Sequence, residues 1–171
     1  TASITGLPAG WHYVTVTDVN MCSTIDSIEV LEPVGLTSST TVVNANCFGA
    51  ATGSATVTGA GGTLNYTYQW DGSAANQTTA TASNLLAGTY SVTVTDLNGC
   101  TSVSTAVVGQ PATPVSTTTS GTDLLCNGDG SGTASVVGAG GTPDPAIASG
   151  YTYLWSDPNG QTTAIATGLQ A

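Results

Sequence analysis

The sequence predicts an all-β chain made of tandem antiparallel β-sandwich repeats of about 78 residues. Three observations predict it. Segments recur at a fixed distance: "AGWHYVTVTDVNMC" from Ala9 returns as "AGTYSVTVTDLNGC" from Ala87, and "CFGAATGSATVTGAGGT" from Cys47 returns as "CNGDGSGTASVVGAGGT" from Cys126. Within these segments apolar and hydroxyl side chains alternate with the period of a half-buried strand. Turn signals such as "GAGG" (Gly59 to Gly62) and "DLNG" (Asp96 to Gly99) separate the strands, and no helical pattern of ten residues survives between them.

The repeat phase divides the chain into residues 1–33, the last strands of a first repeat; 34–111, one complete sandwich; and 112–171, the first strands of a third repeat. "YTYQW" at Tyr66 returns as "YTYLW" at Tyr151, later than the repeat length requires, so the third copy carries an insertion around Pro143 to Ser149, expected in a loop. In the complete unit about seven strands are expected, near Leu36–Val43, Gly53–Gly59, Tyr66–Trp70, Gln77–Ala82, a short edge at Ser83–Leu86, Thr89–Thr95 and Thr101–Val108. Ala55 and Val57 face one way in the second of these. Tyr66, Tyr68 and Trp70 share a face in the third, as do Tyr90, Val92 and Val94 in the sixth. Trp70 and Tyr90 are expected to fill the space between two sheets, as in immunoglobulin-like sandwiches. The linkers "LEPVG" (Leu31 to Gly35) and "GQPATP" (Gly109 to Pro114) are short and contain proline, which predicts a semi-rigid rod.

Composition narrows the function. The 171 residues contain no Lys or Arg and ten Asp plus Glu, a formal charge of −10. Binding to nucleic acid or an anionic membrane through charge is excluded, because both need basic side chains against phosphate. No apolar run is long enough to span a bilayer, so no membrane insertion is expected. A surface wetted by Thr, Ser and backbone, with no site for trypsin-like proteases, suits an exported protein. The four cysteines are two pairs of equivalent positions, Cys22 with Cys100 and Cys47 with Cys126, and their spacing fits a disulfide framework rather than a zinc site. A lysine isopeptide cross-link is impossible.

The order of "CFGAATGSATVTGAGGT", "YTYQW", "LLAGTYSVTVTDLNGC" and "VVGQP" resembles the repeats of SprB-type gliding-motility adhesins, cell-surface proteins of Bacteroidota. The resemblance covers nearly the whole chain. It implies an extracellular immunoglobulin-like or PKD-like repeat of a very long surface protein exported by the type IX system. The function expected is that of a structural stalk or filament module with no active site and no cofactor, whose partners are neighbouring repeats or chains of the same type. The alternative is a module that binds carbohydrate or another ligand. The chain departs from the pattern at Met21, where Gly precedes the second Cys, and at "TLNY" (Thr63 to Tyr66), where Pro-Tyr follows the double Gly.

Several residues stand out as candidate sites. His12, the only histidine, aligns with Tyr90 on the inward phase, which makes it a core or edge residue rather than a general base. Asn127, Asp129 and Ser131 place oxygens at alternate positions, as in the first half of a calcium loop. The acidic ligand expected further on is missing, Gly138 standing there, and turn chemistry accounts for the same residues. Asp18 with Asn20 and Asp96 with Asn98 read as Asx hairpin turns. Ser27 in "DSI" matches an O-glycosylation pattern of the phylum to which the resemblance points; the "NYT" and "NQT" sequons at Asn65 and Asn76 read as chance. Trp11, whose equivalent is the outward Thr89, is expected to be exposed and is the candidate contact for a surface polysaccharide. Cys47 and Cys100 are expected to be oxidised, either to each other or between stacked modules, with Cys22 and Cys126 pairing to repeats beyond or adjacent. The incomplete ends are expected to be completed by further chain of the same array, or by strands of a second copy.

Overall fold

The computed structural model describes residues 3–126 and 128–170. Among these residues the regular structure is all β apart from one 3₁₀ turn. The first sheet is a hairpin of β1 (Gly10–Thr17) and β2 (Ser23–Val30). Two three-stranded sheets follow. One has the order β3 (Thr37–Val43), β4 (Gly53–Ala60), β6 (Thr81–Leu85); the other has β5 (Thr67–Trp70), β7 (Gly88–Thr95), β8 (Thr101–Val108). A last sheet has the order β11 (Ile165–Leu169), β10 (Gly132–Ala139), β9 (Ser116–Thr122). Every ladder is antiparallel.

The sheets of β3 to β8 share a single core. The central strands, β4 and β7, alternate buried and less buried residues along their length. Ala55 and Val57 therefore meet Tyr90, Val92 and Val94, with Trp70 wedged between them at 1% exposure. Burial takes water from the polar tips of three of the aromatic residues, and backbone carbonyls replace it. Trp70 Nε1 donates to Thr79 O at 2.9 Å, Tyr90 Oη to Leu86 O at 2.8 Å, and Tyr66 Oη to Gly61 O at 2.6 Å.

The sandwich has six strands, not the seven expected. Gln77–Ala82 does not form a strand of its own, and the strand in this region is β6, which takes in the expected edge at Ser83. Side-chain chemistry explains the shift. Asp71 caps the 3₁₀ turn Gly72–Ala74, and Ala75 and Asn76 then take left-handed backbone angles that no strand allows. The Gln77 amide next replaces a ladder, donating to Ser83 O at 3.1 Å while its Oε1 accepts from Ser83 N at 3.0 Å.

The β9–β10–β11 sheet repeats the β3–β4–β6 sheet in detail. Ser116 faces Ala139 as Thr37 faces Ala60, and the same bulge interrupts β10 at Gly132/Thr133 and β4 at Gly53/Ser54. Gln161 embraces Thr167 as Gln77 embraces Ser83, and Trp155 Nε1 reaches Thr163 O at 2.8 Å. The insertion Pro143 to Ser149 lies outside the strands, between β10 and β11.

Candidate functional site

The two ends of the β3–β8 sandwich are where its chemistry collects. The N pole, where chain enters β3, is organised by Asp96, which is only 6% exposed. Its Oδ1 accepts the backbone N–H of Asn98 at 3.0 Å and of Cys100 at 2.8 Å, closing the β7–β8 hairpin as an Asx turn. Its Oδ2 accepts the N–H of Thr63 at 2.9 Å, across from the hairpin, and Asn98 Nδ2 donates to Thr63 Oγ1 at 2.8 Å. The hairpin tip is thereby tied to the loop between β4 and β5. That loop in turn holds the incoming linker, through the bond from Gly62 N to Val34 O at 2.6 Å. Gly62 has φ +58°, and a Cβ there would lie 2.6 Å from Asp96 Oδ2, so only glycine fits. The Thr63 N–H, ahead of the other backbone donors, holds the Asp96 carboxyl below its ordinary range, against the opposing effect of burial.

The equivalent hairpin is built the same way. Asp18 Oδ1 accepts from Asn20 N and Cys22 N, both at 2.8 Å. Met21 takes φ +66° where Gly99 has +85°, so the departure from Gly is accommodated in the left-handed region rather than by a new turn.

The C pole, where chain leaves β8, gathers the loop around Cys47 on the outgoing linker. Ala45 N donates to Gly109 O at 2.9 Å, Gly109 N to Asn44 Oδ1 at 2.8 Å, and Gly49 N to Gln110 Oε1 at 2.7 Å. Sequence reasoning missed Thr63 and Gln110 as parts of these poles. The available signal was the oxygen-bearing side chain at equivalent linker positions, Glu32 and Gln110.

Cys22, Cys47, Cys100 and Cys126 are all exposed, and no two of them are bonded to each other. Cys100 immediately precedes β8 and Cys47 sits beyond its far end. Eight residues at a rise of about 3.3 Å place the two roughly 25 Å apart, whereas a disulfide needs Cα atoms within about 7 Å. The internal Cys47–Cys100 bridge, one of the two expected pairings, is corrected by this geometry: a straight strand separates the two cysteines.

The other candidates lie apart from the poles. Trp11 is 58% exposed and shares the outward face of β1 with Tyr13, 73% exposed; Glu29 and Ser27 stand opposite them on β2. Ser27 is exposed, with its N–H bonded to Asp26 Oδ1 at 2.8 Å. His12 is half-buried, its Nε2 2.8 Å from Pro8 O. Asn127 lies outside the described residues. Asp129 is engaged by its own turn: Oδ1 accepts from Ser131 N at 2.9 Å and Ser131 Oγ at 2.7 Å, and Oδ2 from Cys126 N at 2.8 Å. The Ser131 N–H and then its hydroxyl hold this carboxyl low, against burial. Among the described residues no three His, Cys, Asp or Glu side chains come together in a way that could hold a metal ion, and no helix is long and apolar enough to cross a membrane.

Comparison with known proteins agrees with the motifs. No curated protein matches the chain. Residues 39–75, which run from β3 through the capped 3₁₀ turn, match the family model of the SprB repeat, and the chain thus carries a SprB-type repeat in the part of the sandwich that contributes Trp70 to the core.

Proposed function

We propose that the chain is a stretch of stalk in a large extracellular bacterial adhesin of the gliding-motility type, made of sandwich modules without catalytic activity and exported by the type IX route. The observation that carries this reading is the SprB repeat at residues 39–75, because SprB repeats are found in cell-surface proteins. Two features support it. Linkers enter and leave the sandwich at opposite poles, as a module threaded in series requires, and the chain carries no basic side chain for a polyanion to engage. Antibodies against residues 34–111, applied to intact cells of the source organism, test it. Labelling of unpermeabilised cells that disappears when type IX export is disabled is the expected result; labelling only after permeabilisation overturns it.

A second reading rests on Trp11 and Tyr13, two exposed aromatic rings on one strand face where the next copy has Thr89 and Ser91. Such a pair can stack on sugar rings. Binding of cell-surface polysaccharide that is lost in Trp11→Ala would put ligand recognition ahead of the stalk role.

A further inference from the structure

The first and last strands of the sandwich, β3 and β8, belong to different sheets and are bonded to each other through side chains. Ser38 Oγ lies 2.9 Å from Ser102 Oγ and 2.7 Å from Ser104 Oγ; Ser104 Oγ donates to Ser38 O at 2.9 Å, and Thr40 Oγ1 donates to Thr105 O at 2.6 Å. These partners are 64 to 66 residues apart in sequence and advance together, so the two strands run in the same direction. The row continues at the C pole with the Asn44, Ala45 and Gln110 bonds.

We infer that the β3–β8 contact is a mechanical clamp that carries tension through the module; the inference rests on the stalk reading and deepens it. Chain enters β3 at the N pole and leaves β8 at the C pole. A pull on the linkers therefore drives the two strands in opposite directions, and bonds lying across that direction are strained together rather than one at a time. The clamp also joins the two loaded strands directly. Without it, load entering β3 reaches β8 only through β4 and the packed core.

The sequence keeps the chemistry where the clamp needs it. Ser38 and Thr40 correspond to Thr117 and Thr119 in the next copy, Ser102 and Ser104 to Thr24 and Asp26 in the previous one, and Gln110 to Glu32. Every one of these side chains can hydrogen-bond. Some outward positions outside the clamp do not keep their character, as Thr89 and Ser91 against Trp11 and Tyr13 show, while others, such as Thr93 and Thr95 against Thr15 and Thr17, do. Ser38, Thr40, Ser102 and Ser104 are also half-buried, so the hydroxyls bond across the contact where water has restricted access.

The test holds the 171-residue chain by its two ends at constant force and reads the lifetime of the 34–111 module. Ser38→Ala with Thr40→Val shortens the lifetime at least about tenfold, the loss of two or more hydrogen bonds from the barrier. The comparison is Thr56→Val with Thr81→Val, which removes a hydroxyl pair 2.9 Å apart between β4 and β6, off the path of the load. It shortens the lifetime less than about threefold, and the stability of each variant to urea in the absence of force is measured alongside, so that a loss of stability alone is told apart from loss of the clamp. Equal lifetimes in all three chains, or equal shortening in both variants, overturns the clamp. If the Ser38 and Thr40 variant does not fold, Gln110→Ala takes its place, with a shortening of at least about threefold expected and none refuting. Lifetime is read on the isolated chain and surface labelling on intact cells, so the clamp and the stalk reading fail separately.

Discussion

Asp96 shows how a chain without basic residues stabilises a buried carboxylate: backbone N–H groups do what Lys or Arg does elsewhere. Because the folded carboxyl is held below its unfolded value of about 3.9, the stability it contributes is complete above that value and is lost as the pH falls through the lower folded one. Urea melts of the chain should weaken below about pH 4, and Asp96→Asn should lower stability at neutral pH while flattening that acid slope; an unchanged slope counts against the role. At the equivalent hairpin Met21 holds a left-handed angle, a conformation that costs a non-glycine residue about 1 kcal/mol. Met21→Gly should therefore slow hydrogen exchange of the Asp18 N–H, bonded to Cys22 O at 2.9 Å, by about fivefold. The Asx turns were legible in the sequence because Asp, Asn and Gly act locally. The reach of Asp96 to Thr63 was not, since that partner is 33 residues away.

At the scale of elements, strict alternation gave away β4, β5 and β7, whose inward residues join the core. The strand expected over Gln77–Ala82 failed for a physical reason. Its Thr-rich composition has strand propensity, but the Gln77 side chain supplies the bonds a neighbouring backbone would otherwise supply, and the chain starts to pair only at Thr81. Gln77→Ala should cost about 1–3 kcal/mol in urea unfolding, since it removes the bonds to Ala74 O and Ser83 together. A loss below about 0.5 kcal/mol would show that water replaces the amide. The hydroxyls of β3 and β8 were equally hidden. Ser and Thr on alternate positions read as a wet face, and only the fold shows that two such faces meet.

For the whole molecule, the opposite placement of Cys47 and Cys100 leaves the pairing between stacked modules as the remaining expectation. Each bond would join Cys47 of one module to the hairpin cysteine of the module after it, two thiols giving up two protons and two electrons to a disulfide-bearing oxidant. Peptide mapping of the mature surface protein without reduction, using a protease for acidic or aromatic sites, should find Cys47 and Cys100 linked to different repeats; free thiols at both positions refute it. The length of β8 has a consequence of another kind. A folded module spans roughly 25 Å along its strands, yet its 78 or so residues would reach about 260 Å if drawn out. In a fibre whose cysteines are reduced, each module therefore stores about nine-tenths of its contour as slack, and giving up one module under a sudden jerk lengthens the fibre by several times that module's height; the cross-links between modules, once formed, hold most of that length back.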